Sequence, residues 1–248
     1  MNLDELCAEI LFAFNSDAAE ELHIPATAFA RIAMQAKTLM LSEQAVEILS
    51  NLKEHHLHSY EHSLRVGFIY DGITHDLKYP QELENTLIVS GFLHDIGKKH
   101  VPSETLEKQG YLSEREINQI RKHTRLAFLE LQPLKETYPA IDEIIVGHHD
   151  YPRANKERRK WKRREEGMIF ISENLRKDME RRMKDRRQEK TDIEYFSYLL
   201  MLVDIFDALS SQRSYKKPWN SKKTRKELEK AFSDMKGTVN YLVNNYRN

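Results

Sequence analysis

Eleven histidines punctuate this chain, and they are unevenly spread. His55, His56, His58 and His62 form one cluster; His94, His123, His148 and His149 follow further on. Histidine is the commonest metal ligand among side chains, so the distribution asks for a chemical reason. His58 and His62 are four apart and share one face of a helix. His94 and Asp95 are adjacent, an arrangement that can place two side chains around neighbouring ions. His123, His148-His149 and Asp204 complete a set of imidazoles and carboxylates. Such mixed sets suit iron, manganese, zinc or magnesium-like ions rather than copper(I). Two ions held close together can clamp a phosphate and lower the pKa of a bridging water, which yields a hydroxide nucleophile at neutral pH.

Each of these signals has a plainer reading. His23 and His75 read as surface residues, and the doublet His55-His56 reads as exposed. Asp204 is harder to place on a surface. It sits beside Leu202, Val203 and Phe206, where burial without a partner would be costly. It is a metal ligand, a cap or a member of a salt bridge. Spacing alone leaves a metal centre and a scatter of solvated histidines both open.

The elements that must position these residues read as helices. In residues 1–50, Leu3, Leu6, Ile10 and Phe14 recur at helical spacing, and Pro25 suits the first turn of a following helix. Cys7 there reads as a small core residue. Leu64, Phe68 and Tyr70 follow His62; Leu83, Leu87, Phe92 and Leu93 lead into His94-Asp95, and Gly97 ends or bends that helix. Ser113 with Glu116 predicts a capping box for a helix running through His123 towards Leu131. Ile141, Ile144 and Ile145 begin a helix expected to carry His148 and His149. Ile193, Phe196, Leu200 and Val203 share a face with Asp204 and Asp207. Thr224 with Glu227 predicts the start of another helix, which Gly237 is expected to break. No convincing strand, repeat or low-complexity tract is present.

Composition bounds the class. The chain has 248 residues, 40% hydrophobic and 31% charged, enough to bury a sizeable core. No apolar stretch approaches the 18 or more residues that a membrane span needs. One cysteine excludes a disulfide framework within the chain, and with no basic-then-apolar leader in view a cytoplasmic location is expected. With 8 Gly and 7 Pro, punctuation is sparse, which favours long helices. The formal net charge of zero hides an asymmetry: residues 153–190 hold 16 Lys/Arg against 8 Asp/Glu. That basic run reads as a solvated face, a substrate-steering lid or, less favoured, a nucleic-acid surface. Trp161 is the only aromatic within Arg153–Arg164, so no regular stacking platform is present.

The run His62-Ser-Leu-Arg-Val66, His94-Asp-Ile-Gly-Lys98, His123, His148-His149, Val203-Asp-Ile-Phe-Asp-Ala-Leu209 and Arg213-Ser-Tyr215 resembles the HD superfamily of metal-dependent phosphohydrolases. More narrowly it resembles the HD-GYP branch, whose known activity is hydrolysis of cyclic di-GMP. The resemblance implies an all-α helical bundle. It implies metal ligation by His62, His94, Asp95 and Asp204, with Asp95 bridging, and by the further histidines His123, His148 and His149. Lys98 and Arg213 match basic residues that hold the substrate phosphate, a role suited to bidentate guanidinium contacts. His58 stands where some members carry a Glu that helps bind a third metal. The branch usually has His-His-Glu followed by a glycine-rich turn ending Gly-Tyr-Pro; here the run is His148-His149-Asp150-Tyr151-Pro152. Tyr-Pro remains, the glycines are gone, and the basic insertion follows.

The expected organisation is an N-terminal helical extension at 1–50 and a phosphohydrolase domain at 51–248. The expected activity is metal-dependent hydrolysis of a cyclic dinucleotide by a metal-bridged hydroxide. Asp95, Lys98 and Arg213 form the catalytic set, with two divalent ions or a third at His58, iron or manganese foremost. Asp207 is expected to orient a ligand or cap a neighbour. The alternatives are a non-catalytic nucleotide-binding signalling module and hydrolysis of another nucleotide phosphoester. A homodimer stays open.

Overall fold

The computed structural model describes residues 5, 8–10, 12–13, 42–76, 79–149, 186–212 and 217–246. The expectations for Cys7, His23, the Asp150–Pro152 loop, Trp161, most of the basic insertion and Arg213 fall outside these residues. Every regular element among the described residues is helical, as the sequence predicts. None is long and apolar enough to cross a membrane.

Helix α1 spans Glu43–His55 and runs through position 50. The side chain of Ser42 accepts the N–H of Ala45, filling one of the donors that a helix start leaves open. Ala45, Leu49 and Leu52 recur on one face and are buried. Helix α2, Leu57–Asp76, and helix α3, Gln81–Leu93, form the centre of the bundle. Both are apolar on most sides, the pattern of helices enclosed by others. They cross where Gly67 meets Gly91. A Cβ added at Gly67 would lie 2.4 Å from the Phe92 ring, and one at Gly91 would lie 2.9 Å from the Gly67 Cα. Only glycine lets the backbones come this close.

A 3-10 turn, Ile96–His100, leads into α4, Ser103–Leu106, and α5, Glu114–Arg121. The capping box expected at Ser113 and Glu116 is present. The single helix expected from there to Leu131 is interrupted at Lys122, and α6, His123–Leu131, starts afresh. Helix α7 covers Ile141–Gly147, so His148 and His149 sit just past its end rather than on it. Helix α8, Arg186–Ser210, buries Tyr195–Val203 and Phe206. The Tyr70 hydroxyl donates to the Phe196 carbonyl at 2.9 Å and ties α2 to α8.

Two expectations near the C-terminus are corrected. Helix α9 is Ser221–Ala231, capped by Asn220, whose side chain accepts the N–H of Lys223 at 2.9 Å. Thr224 lies inside the first turns and is fully buried, so it serves packing rather than capping. Helix α10 is Lys236–Tyr246, and Gly237 lies in its first turn rather than between helices.

Candidate metal centre

Three helices end at one place. His94 follows the last residue of α3, His123 follows the end of α5, and His148 follows the end of α7. The last-turn carbonyls of a helix have capacity left for partners from outside the helix, and each histidine ring bonds one of them. Nδ1–H of His94 donates to the Gly91 carbonyl at 2.9 Å, that of His123 to Ile120 at 2.7 Å, and that of His148 to Ile145 at 2.6 Å. A carbonyl can only accept, so in all three rings the proton lies on Nδ1 and the Nε2 lone pair is left free to ligate. All three Nε2 atoms are buried without a hydrogen-bond partner. The negative ends of α3 and α7 face this place and favour a cation, while that of α5 is offset by the positive start of α6 at His123.

His62 reaches the same place from the middle of α2. Its Nδ1–H donates to Asp207 Oδ2 at 2.6 Å, and its Nε2 stands 2.9 Å from Asp204 Oδ1. Asp95 lies between the histidines. Its Oδ2 is 3.5 Å from His94 Nε2 and 3.6 Å from His62 Nε2, while its Oδ1 is 3.2 Å from His123 Nε2. Two groups of side chains therefore offer ligand atoms within 4.8 Å of one another: His62, His94 and Asp95, and His123, His148 and His149. The Asp95 carboxylate turns one oxygen to each. Gly97 allows this convergence, because a Cβ there would lie 1.8 Å from the His123 carbonyl oxygen.

The electrostatics of His94, His123, His148 and the two carboxylates agree with a cation-binding role, whereas His62 is held toward its protonated form by Asp204 and Asp207. Burial works against charge on Asp95, yet Lys98 and the imidazoles of His94, His123 and His62 hold its carboxyl well below the usual range. Asp204 is likewise held far down, against its burial, by His62. Burial pushes His94 and His148 below the ordinary imidazole value, and His123 down to about 4. Those three rings are neutral at pH 7, as ligation requires. Burial alone would lower His62 too, but its hydrogen bonds to Asp204 and Asp207 hold it above the ordinary value. Unpartnered buried nitrogens beside ionised carboxylates are costly in a bare protein, and hard divalent ions accept this donor set.

The structure brings together His62, His94, Asp95, His123, His148, His149 and Asp204. Lys98 joins them through a hydrogen bond from its Nζ to Asp95 Oδ2. His58 is half-buried one turn before His62 and belongs to neither group. The doublet His55-His56 is corrected: His56 is buried, and its Nδ1 accepts the Ser59 N–H at 3.2 Å, while His55 Nε2 donates to the Val101 carbonyl at 2.8 Å.

Asp207 orients His62, as expected. Sequence reasoning gave no role to its other partner, Arg65, which is 1% exposed. Arg65 donates from Nε to Asp207 Oδ1 at 2.8 Å and from Nη2 to Oδ2 at 3.2 Å, and the Ser211 hydroxyl donates to Oδ1 at 3.0 Å. The available signal was an arginine inside the apolar run Leu64–Tyr70, three residues after His62. Carboxylates that hold a ligating ring in place typically contribute 10–100-fold to metal affinity. Asp207→Asn is accordingly expected to weaken metal binding by about that factor. Competition against a chromophoric chelator measures it, and wild-type affinity in that variant would mean that the ring is fixed without Asp207.

An all-α bundle with a buried histidine–aspartate centre at its helix ends defines a class, and sequence comparison gives the class its name. Residues 59–211 match the HD domain, and the chain belongs to the HD domain family. Among curated proteins it is 26% identical over 202 residues to a cyclic di-GMP phosphodiesterase of Thermotoga maritima, covering 77% of this chain and 44% of that one. It is 25% identical over 173 residues to a cyclic di-GMP phosphodiesterase of Pseudomonas aeruginosa, covering 70% and 35%. To a 3'3'-cGAMP-specific phosphodiesterase of Vibrio cholerae it is 26% identical over 168 residues, covering 67% and 27%. The chain thus spans less than half the length of these relatives.

Proposed function

We propose that this chain is a divalent-metal-dependent phosphodiesterase that hydrolyses a cyclic dinucleotide of the cyclic di-GMP type in the cytoplasm. One observation carries the reading. The Nε2 lone pairs of His94, His123 and His148 are buried without a hydrogen-bond partner, in two adjacent groups of candidate ligands with the Asp95 carboxylate between them. The names of the relatives support the substrate class.

His62, His94, Asp95 and Asp204 would hold one ion, and His123, His148, His149 and Asp95 a second, iron or manganese. When bound, such a pair supplies Lewis-acid charge and an activated water at neutral pH. The protein's own groups do the rest. Gly91, Ile120 and Ile145 hold the ligand rings by their carbonyls. Asp207 fixes His62. Lys98, 17% exposed at its side chain and hydrogen-bonded to Asp95, places a cation at the rim of the centre, where a phosphodiester oxygen would sit. Arg213 is a second phosphate-binding cation, and the net positive charge of 153–190 steers the anionic substrate. His58 is a ligand only if a third ion is taken up. Residues 51–248 would form the catalytic unit, with helix α1 packed into the same core across position 50.

Elemental analysis of protein purified without oxygen or chelator, followed by assays with cyclic di-GMP, tests the reading. Two equivalents of iron or manganese are expected, together with a linear dinucleotide or mononucleotide product that disappears with chelator and returns with metal. Less than one equivalent, not restored by added metal, would overturn it. A metal-replete protein that binds cyclic di-GMP without cleaving it would favour the signalling-module alternative.

A further inference from the structure

The buried guanidinium behind the centre has a third bond, and it leads out of the HD match altogether. Arg65 Nη1 donates to the carbonyl of Ala13 at 3.2 Å, across 52 positions of sequence. Ala13 and Ile10 are buried in the core, at 0% and 2% exposure. Glu9, beside them, is fastened twice: it accepts the Tyr60 hydroxyl, and Lys53 Nζ at 2.7 Å. Tyr60 is two residues before His62 on α2. Residues 9, 10 and 13 therefore lie along α1 and α2, well before the matched span begins at 59.

We propose that Glu9, Ile10 and Ala13 form a strap that sets the affinity of the metal centre, acting through Arg65 and Asp207 on His62. The inference rests on the metal-centre reading above. The chain of contacts is continuous: Ala13 carbonyl, Arg65 guanidinium, Asp207 carboxylate, His62 Nδ1–H. An arginine in a dry site needs its donors satisfied, and Asp207 takes two of them. The Ala13 carbonyl takes another and fixes the plane of the fork. A guanidinium with that arm unmatched turns toward other acceptors, and Asp207 and the His62 ring turn with it. Arg65 and the strap are thus positioning elements and touch no substrate. A partner or a preceding segment that lifts the strap would lower metal occupancy without entering the centre.

The test uses the full chain with its metal removed, titrated with Co(II), whose visible d–d bands report the ligand field directly. Ile10→Ser lifts the strap from the core, and Glu9→Ala removes its two polar fastenings, to Tyr60 and Lys53, while keeping Ile10 and Ala13 in place. Arg65→Lys keeps the charge beside Asp207 but lacks the second arm. Each is expected to weaken the tighter Co(II) site about tenfold, as loss of outer-shell support does, and to alter its bands. In the Arg65→Lys background, Ile10→Ser should add nothing, because the arm it acts through is already gone. Wild-type affinity and bands in Glu9→Ala and Ile10→Ser, with the helical circular dichroism intact, would overturn the strap while leaving the centre standing. The strap is equally overturned if the Ile10→Ser and Arg65→Lys effects simply multiply. Should Ile10→Ser fail to fold, Glu9→Ala and Arg65→Lys decide. A wild-type protein that takes up no Co(II) overturns the metal centre itself, and the strap with it.

Discussion

Replacing Asp95 with Asn is expected to abolish metal-dependent turnover and to empty the centre. Among the described residues, Asp95 is the one carboxylate within 3.6 Å of three imidazole Nε2 atoms, at 3.2, 3.5 and 3.6 Å. It is 1% exposed, and its carboxyl is held well below the usual range against the cost of burial, first of all by Lys98. An amide has nearly the same shape but carries no charge and offers a single acceptor oxygen. Both groups of ligands lose their shared member at once. An outer-shell loss costs 10–100-fold, so loss of the shared ligand should exceed about a hundredfold in affinity for each ion. The measurement is metal per chain after gel filtration, with turnover of cyclic di-GMP beside it. Near-zero metal and no product are expected; two equivalents and wild-type turnover in Asp95→Asn would sink the assignment.

The second large effect is structural and falls two residues later. Gly97→Ala would drive a Cβ to 1.8 Å from the His123 carbonyl oxygen and 2.7 Å from the Ala127 nitrogen. Both are backbone atoms of α6, so no side chain can swing aside. The 3-10 turn and α6 must separate. Overpacking in a well-filled core costs about 1–3 kcal/mol, and a clash with backbone belongs at or beyond the upper end. At roughly 2–4 °C per kcal/mol for a chain of this size, the melting temperature should fall by roughly 6–12 °C. The separation also draws His123 away from Asp95, so the variant should lose one ion more readily than the other. Calorimetry and metal analysis on the same sample read both effects. A melting temperature within a degree or two of wild type would mean that the turn and α6 are free to slide.

How far the chain could be read in advance depended on the range of the interaction. The histidines that meet at the candidate centre stood out because metal chemistry restricts residue type, and Asp204 because a carboxylate among Leu202, Val203 and Phe206 is unfavourable without a partner. Helix existence was legible from periodicity. The break at Lys122 was not, since apolar spacing continues across it and only the turn of the chain reveals a new helix. Thr224 followed by Glu227 satisfies the pattern of a capping box, yet Asn220 starts the helix one turn earlier and Thr224 packs inside it. The doublet His55-His56 looked polar and therefore exposed; a neighbouring hydroxyl and a carbonyl satisfy its ring nitrogens and let it turn inward. Arg65 was the hardest to see. Its partner Asp207 is 142 residues away, and no local pattern encodes a pairing at that distance.

The three histidine–carbonyl bonds at the helix ends carry one more consequence. The His94 and His148 rings are locked by the last turns of α3 and α7, helices held by buried apolar residues and not by an ion, and His123 opens α6, which buries Ala127 and Leu131. The entropy of those rings is lost when the bundle folds, so an ion arriving later meets a finished cage. Small zinc domains work the other way and unfold when stripped. Here the metal-free protein should keep its helices, load by simple encounter, and discriminate between ions by the fixed spacing of the cage rather than by collapsing around whichever comes first.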